Sequence, residues 1–462
     1  MNIKEIRAFY KKSNNFLKYN QFKELIGIPY LNPQLPRSIK VENNKIDFNL
    51  SKKILNFILK FLRFNKNYDS FLNKDYKYLI LSHLVSYNHL NYDNDFYFGN
   101  LAKKLNKNEV LFVLIDHIGF KKKNIIKKIK GNYIILSKKL NFFLEIKLLL
   151  KTSIKLLYYS FFNTNLRLFS LKNILGSIDN QRTSLQIRKI FKNFTFKNFL
   201  FTYEGYPYEK LVCLEAQKIN KNLRRIGYQF GVIRKFQYSL FSFISRKFDP
   251  DVIFTIGNYN KRLLISKFNK RSKIYNFGLL KNNQINVKKK KNLNNKKIKV
   301  LVMPEGIINE IKIFIDFCLK NQNKEIEFTF RLHPIYLKNK IVNKEINRNL
   351  RNVKVSKNKL EYDIKNNDYL LYRGTGAVFG AINSGLIPIY LYKKDQVTID
   401  PLFEVNKKHI IEYNSDLLDF IKIKKIFKKK ELKNEFIKIK KFSQLFYDKP
   451  KFIELLNFIK KN

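Results

Sequence analysis

The fold turns on the stretch Ile298-Lys299-Val300-Leu301-Val302-Met303-Pro304-Glu305-Gly306-Ile307. A run that is apolar save for Lys299 reads as a strand buried on both faces, Pro304 and Gly306 stop it, and from 307 to about 319 apolar residues return at helical spacing. A strand apolar on both sides must be covered on both sides, and the helix that follows it supplies one cover. The unit therefore predicts an open parallel sheet flanked by helices.

Working outward, the same alternation predicts further strands at 326–332, 352–355, 369–372 and 388–392. Upstream it predicts strands at 76–83, 110–115, 133–136, 199–203, 225–229 and 252–256, with helical patterns at 96–105 and 208–219. Between the two series, apolar residues thin out from 279 to 297 and Lys288-Lys289-Lys290-Lys291 appears, which reads as a solvated linker, the alternative being a nucleic-acid-binding tail. The expected organisation is α/β with two Rossmann-like domains: residues 1–285 with a helical N-terminal extension, a linker at 286–297, and residues 298–462 ending in a helical, basic segment from about 415. That last segment either packs back across the domains or touches lipid headgroups.

The 462 residues, 45% of them hydrophobic, suffice for two cores, and only 15 Gly and 10 Pro exclude collagen-like or extended low-complexity states. Lys+Arg 92 against Asp+Glu 36 gives a formal charge of +56. Part of that excess goes with the abundance of Asn, Ile, Phe and Tyr expected of A/T-rich codons; the rest favours an acidic partner. No helix-turn-helix, zinc-ligand spacing or RNP-like strand is evident, so nucleic acid is not the expected partner. Cys213 and Cys318 lie in half-apolar helical segments without metal-ligand spacing and read as reduced core residues. No signal-peptide pattern opens the chain and no uncharged stretch reaches about 20 residues, so a cytoplasmic location is expected, with peripheral contact at an anionic inner membrane left open. Residues 140–162 carry Glu145, Lys147, Lys151 and Lys155 at helical spacing. An amphipathic helix facing the core is preferred there to an interfacial membrane helix.

Open parallel sheets collect ligands beyond the carboxyl ends of their strands. Three clusters fall there. Glu305 follows the strand at 298–303. Arg331-Leu332-His333-Pro334 follows the next strand, the proline fixing the loop around an imidazole and a guanidinium suited to phosphate oxygens. Arg373-Gly374-Thr375-Gly376 follows the strand at 369–372 and opens a helix, where backbone N–H groups could cradle an anion. The plainer alternatives are a helix-start carboxylate, a loop histidine and close packing of small residues. In the first half, His83, Asp116, His117, Glu204 and Gln229 also stand at or just beyond strand ends.

Together, Pro304-Glu305-Gly306, Arg331-Leu332-His333-Pro334, Gly374-Thr375-Gly376 and Ser384-Gly385-Leu386-Ile387-Pro388 resemble the C-terminal domain of bacterial GT-B surface-polysaccharide glycosyltransferases, nearest those that use CMP-linked sialic acid or Kdo-like sugars. The resemblance implies a GT-B arrangement, a nucleotide-sugar donor and a saccharide or lipid-linked acceptor of capsule or lipopolysaccharide type. It further implies Glu305 as catalytic base from a D/E-D/E-G motif, His333 as phosphate ligand, and Arg331, Arg373, Gly374, Thr375, Gly376 and Ser384 around the nucleotide. His83, Glu204 and Gln229 would face the acceptor, and no metal or other cofactor is expected. Pro304 departs from the motif, which often has a second acid there. A two-domain nucleotide-sugar epimerase is the nearest alternative, and a basic nucleic-acid-binding protein a more distant one.

Overall fold

The structure is a computed structural model that describes residues 68–69, 76–87, 90, 95–118, 131–162, 174–237, 239–268, 271–280, 297–333, 336, 342, 346, 353–394, 396, 398–406, 408–427 and 429–461. The expected helical N-terminal extension and nearly all of the 286–297 linker lie outside the described residues. The chain divides into two compact units.

The first unit holds an eight-stranded sheet in the order β1-β4-β3-β2-β5-β6-β7-β8: β1 (Tyr68–Asp69), β2 (Tyr78–Leu84), β3 (Val110–Asp116), β4 (Tyr133–Leu136), β5 (Asn198–Thr202), β6 (Arg224–Gln229), β7 (Val252–Thr255) and β8 (Lys273–Asn276). Seven strands run parallel and only the edge pair β1/β4 is antiparallel. Helices α1 (Leu101–Leu105), α2 (Phe142–Phe162), α3 (Ile174–Asn193), α4 (Pro207–Ile219) and α5 (Asn258–Lys267) separate strands of this sheet. The strand order reverses between β2 and β5, and both are almost wholly buried, as continuous apolar runs require.

The second unit repeats the plan with six parallel strands ordered β11-β10-β9-β12-β13-β14. They are β9 (Ile298–Met303), β10 (Ile326–Phe330), β11 (Val353–Val355), β12 (Tyr369–Tyr372), β13 (Ile387–Tyr392) and β14 (His409–Glu412), with α6 (Ile308–Lys320), α7 (Leu360–Lys365), α8 (Val378–Asn383), α9 (Leu417–Phe427) and α10 (Lys429–Gln444). In chain order this is 3-2-1-4-5-6, and it reverses between β9 and β12. Ile311, Phe314, Ile315, Phe317 and Cys318 of α6 bury against Val300, Val302, Phe328, Phe330, Leu371 and Ile389 of the sheet. The expectation of two α/β Rossmann-like domains therefore holds.

Four expectations differ. The helical pattern at 96–105 yields helix only over α1, because the Asp95 carboxylate takes the backbone N–H groups of Tyr97 and Phe98 and the Ser82 hydroxyl, holding 95–100 as a turn. Residues 231–236 belong to the second unit, and 448–462 belong to the first rather than to the C-terminal domain. Within the first unit, Asp448 pairs its backbone with Ile256 and Leu279, and Phe458 of α11 (Phe452–Lys460) lies against Phe254, Tyr275 and Phe277. Finally, α2 turns Glu145 and Thr152 inward, where Arg182 and Gln181 of α3 bind them, and leaves much of its apolar surface outside. Burial pushes the Glu145 carboxyl up, but the hydrogen bonds from Arg182 and from the Leu140 N–H prevail and hold it below the usual range.

Phe314 is fully buried in the second core. Phe314→Ala is expected to cost about 3–5 kcal/mol, read as a lowered urea midpoint with hydrogen-exchange protection lost first in β9 and β10.

Candidate functional site

Glu305 sits one residue beyond the Pro304 that ends β9, and its side chain is almost fully buried. One carboxylate oxygen, Oε1, accepts a bond from Arg234 Nη2 at 3.0 Å, and the same Nη2 donates to the Gly374 carbonyl, also at 3.0 Å. Arg234 thereby ties the ends of β9 and β12, the two strands that flank the order reversal of the second unit. It lies in the 231–236 segment, 71 residues from Glu305 in sequence, and no local pattern marks it.

Two glycines let this cluster close. A Cβ on Gly374 would stand 2.7 Å from the Glu305 Cδ and 2.8 Å from Ile399 Cδ1, so any larger residue displaces the carboxylate. A Cβ on Gly306 would stand 2.9 Å from the His333 Nδ1, which shows the imidazole lying against the Gly306 backbone. His333, beyond the end of β10, is exposed, so its ring borders the buried Glu305–Gly306 turn from the solvent side. Pro334 lies outside the described residues. The Thr375 hydroxyl accepts the Ala377 N–H at 3.3 Å, and the Gly376 carbonyl accepts the Tyr447 hydroxyl at 3.3 Å. The structure thus gathers Glu305, His333, Gly374, Thr375 and Gly376 at one sheet edge and adds Arg234 and Tyr447. Such a set offers a held carboxylate, an accessible imidazole and a backbone loop to an anionic ligand.

Three expected nucleotide ligands are placed otherwise. Arg373 is buried, and its guanidinium is spent inside the unit on Glu310 Oε2 at 2.7 Å, the Leu391 carbonyl at 3.0 Å and Gln396 Oε1 at 2.6 Å. It ties α6 to β13, a structural duty that takes it away from an anion. Arg331 donates to Asp363 Oδ2 at 2.6 Å and to the Asn358 carbonyl, bracing the turn after β11. Ser384 caps the far end of α8, and that helix runs back toward the start of β13, so Ser384 stands at the sheet edge opposite Glu305.

In the first unit, His83 near the end of β2 joins His117, Thr202 and Tyr208. Its Nδ1 lies 2.8 Å from His117 Nε2, and its Nε2 lies 3.1 Å from the Thr202 hydroxyl and 3.0 Å from the Tyr208 hydroxyl. Burial, then the neighbouring His117, push His83 down to about 3, so both its nitrogens work as a neutral imidazole. Glu204 gives its N–H to Glu209, whose carboxylate also takes the Gly205 and Tyr206 N–H groups and so fixes the turn into α4. Gln229, at the end of β6, accepts a bond from Asn260 of α5 at 2.6 Å and is fully buried.

Gly374→Ala is expected to lower stability by about 1–3 kcal/mol through the clash with Glu305, measured by urea unfolding. The His83 environment fixes the sign of a pH effect. A histidine near 3 in the folded chain and about 6.5 when unfolded binds its proton only on unfolding across that window, so stability is full above about pH 6.5 and falls toward pH 3. His83→Gln is expected to flatten that acid limb, as followed by melting temperature against pH.

No protein-family model matches the chain, and no curated protein matches it. Among solved structures, the chain is similar to CalG4, the calicheamicin glycosyltransferase, at 9% identity and a TM-score of 0.48 over 84% of this chain and 98% of that one. It is similar to S. aureus MnaA in its co-structure with UDP, at 13% identity and a TM-score of 0.47 over 83% and 96%. It is also similar to the UDP-GlcNAc 2-epimerase of Neisseria meningitidis bound to UDP-GlcNAc, at 12% identity and a TM-score of 0.45 over 84% and 100%.

Proposed function

We propose that this chain is a glycosyltransferase that takes a sugar from a nucleotide donor held by the second unit. The observation that carries the reading is the buried Glu305 carboxylate, clamped by Arg234 at the strand-order reversal with His333 and the Gly374–Gly376 loop beside it. In the reaction, an acceptor hydroxyl gives its proton to Glu305 while its oxygen bonds to the anomeric carbon. The bond from that carbon to the donor phosphate breaks, and the nucleotide leaves with the electron pair. His333 and Thr375 steady the phosphate, and Arg234 positions Glu305. A CMP-linked Kdo or nonulosonic acid as donor, and a surface glycan or glycolipid as acceptor, rest on the motif resemblance. Facing the acceptor is the role proposed for His83 and Glu204 in the first unit, whereas Gln229 is fully buried and held by Asn260.

The test is to incubate the protein with CMP-, UDP- and GDP-sugars, with and without saccharide or lipid acceptors, and to analyse products. Nucleotide release that depends on acceptor supports transfer. A sugar altered within the donor without acceptor identifies an epimerase instead, and a panel left unbound and unchanged overturns both. Glu305→Gln keeps an oxygen for Arg234 but loses the buried charge pair, and is expected to lower the melting temperature while lowering turnover of the folded protein about 10²–10⁴-fold with donor affinity nearly unchanged. A folded Glu305→Gln variant with full turnover would remove Glu305 from the chemistry.

A further inference from the structure

An ordinary surface helix shows polar residues to water and apolar ones to the core. Helix α2 does the reverse. Its inner side carries Glu145, bound to Arg182, and Thr152, bound to Gln181, with Leu148. Its outer side carries Phe143 at 79% exposure, Leu150 at 54%, Ile154 at 63%, Leu157 at 52% and Phe161 at 75%. At 100° per residue these five lie within one narrow stripe that runs for about 27 Å. Such a stripe costs solubility unless something covers it.

The charges beside it indicate what does. Lys147 and Lys151 are exposed next to the stripe and Lys155 is half-buried. The helix has one acid, Glu145, which is buried and neutralised by Arg182. The outward face is therefore apolar and cationic together, in a chain whose net charge is +56. An anionic bilayer matches both features at once: acyl chains for the stripe, headgroup phosphates for the lysines. The inner salt bridge to α3 keeps the polar side inward, so the helix need not rotate to bind.

We propose that the outward face of α2 is an interfacial docking surface for anionic membrane lipid, lying along the bilayer surface with Phe143, Leu150, Ile154, Leu157 and Phe161 at the acyl boundary. No described helix is long and apolar enough to cross a membrane. The inference is independent of the transferase reading, since its readout is binding.

The chain has no Trp, so Ile154→Trp introduces a single indole reporter on the stripe. With vesicles of equal phosphatidylglycerol and phosphatidylcholine, the indole emission is expected to shift to the blue and to be quenched when the acyl chains are brominated. Vesicle co-sedimentation of Leu150→Ser/Ile154→Ser, a pair of changes at exposed positions expected to leave the melting temperature unaltered, is expected to fall about tenfold or more at high salt, where lysine attraction alone is screened. Indole emission from the Ile154→Trp variant that stays unquenched, or co-sedimentation of the serine variant equal to that of the native chain, overturns the proposal. So does a concentration-dependent dimer that the serine substitutions dissociate while vesicle binding is absent.

Discussion

A parallel sheet covered on both faces has nowhere to place polar chemistry except at its strand ends, and both units of this protein obey that constraint. β2, β5, β9 and β12 are mostly apolar, and side chains able to hold a proton or an anion, such as His83, Thr202 and Glu305, appear at or just after their carboxyl ends. The reversal of strand order then opens space between neighbouring ends, since the connections on its two sides depart in opposite directions. His83 with Thr202 occupies one such gap and Glu305 with Gly374 the other. Both clusters follow from strand burial before any particular ligand is considered.

Within the second gap, charge is kept by close fit. A buried carboxylate left alone costs several kcal/mol, and Arg234 offsets that cost only because Gly374 has no side chain to stand in the way. One guanidinium nitrogen serves the carboxylate and a backbone carbonyl, so the position of Glu305 is set by the strand end itself. His333 rests on Gly306 and is exposed.

Much of the fold was legible in the sequence, and the reason is burial on two sides. The strands at 133–136, 298–303 and 369–372 were read to the residue, because a continuous apolar run bounded by polar residues leaves little freedom. β8 and β14 escaped notice, being four residues each with exposed or half-buried positions. Local order put Glu305, His333 and Gly374 at strand ends, where the structure brings them together, but gave no sign that Arg373 is spent on partners inside the unit. An arginine beside a glycine loop reads as an anion ligand, whereas its actual partners Glu310 and Gln396 lie 63 and 23 residues away. Arg234 was invisible for the same reason: its meaning comes from a partner that only folding brings near. For α2, helical spacing was correctly read, but its inward face was decided by Arg182 and Gln181 on another helix.

The assignment of residues 448–462 to the first unit has a consequence for synthesis. The carbonyl that pairs with Leu279 and the ring that fills the space beside Phe254 and Tyr275 are made well after the strands they pack against. At about 5–20 residues per second, β7 and β8 wait on the order of ten to forty seconds for Asp448 and Phe458. The aromatic side chains of the early-made half stay open to chaperones during that interval, and a ribosome that stalls in the second unit releases a first unit that lacks α11.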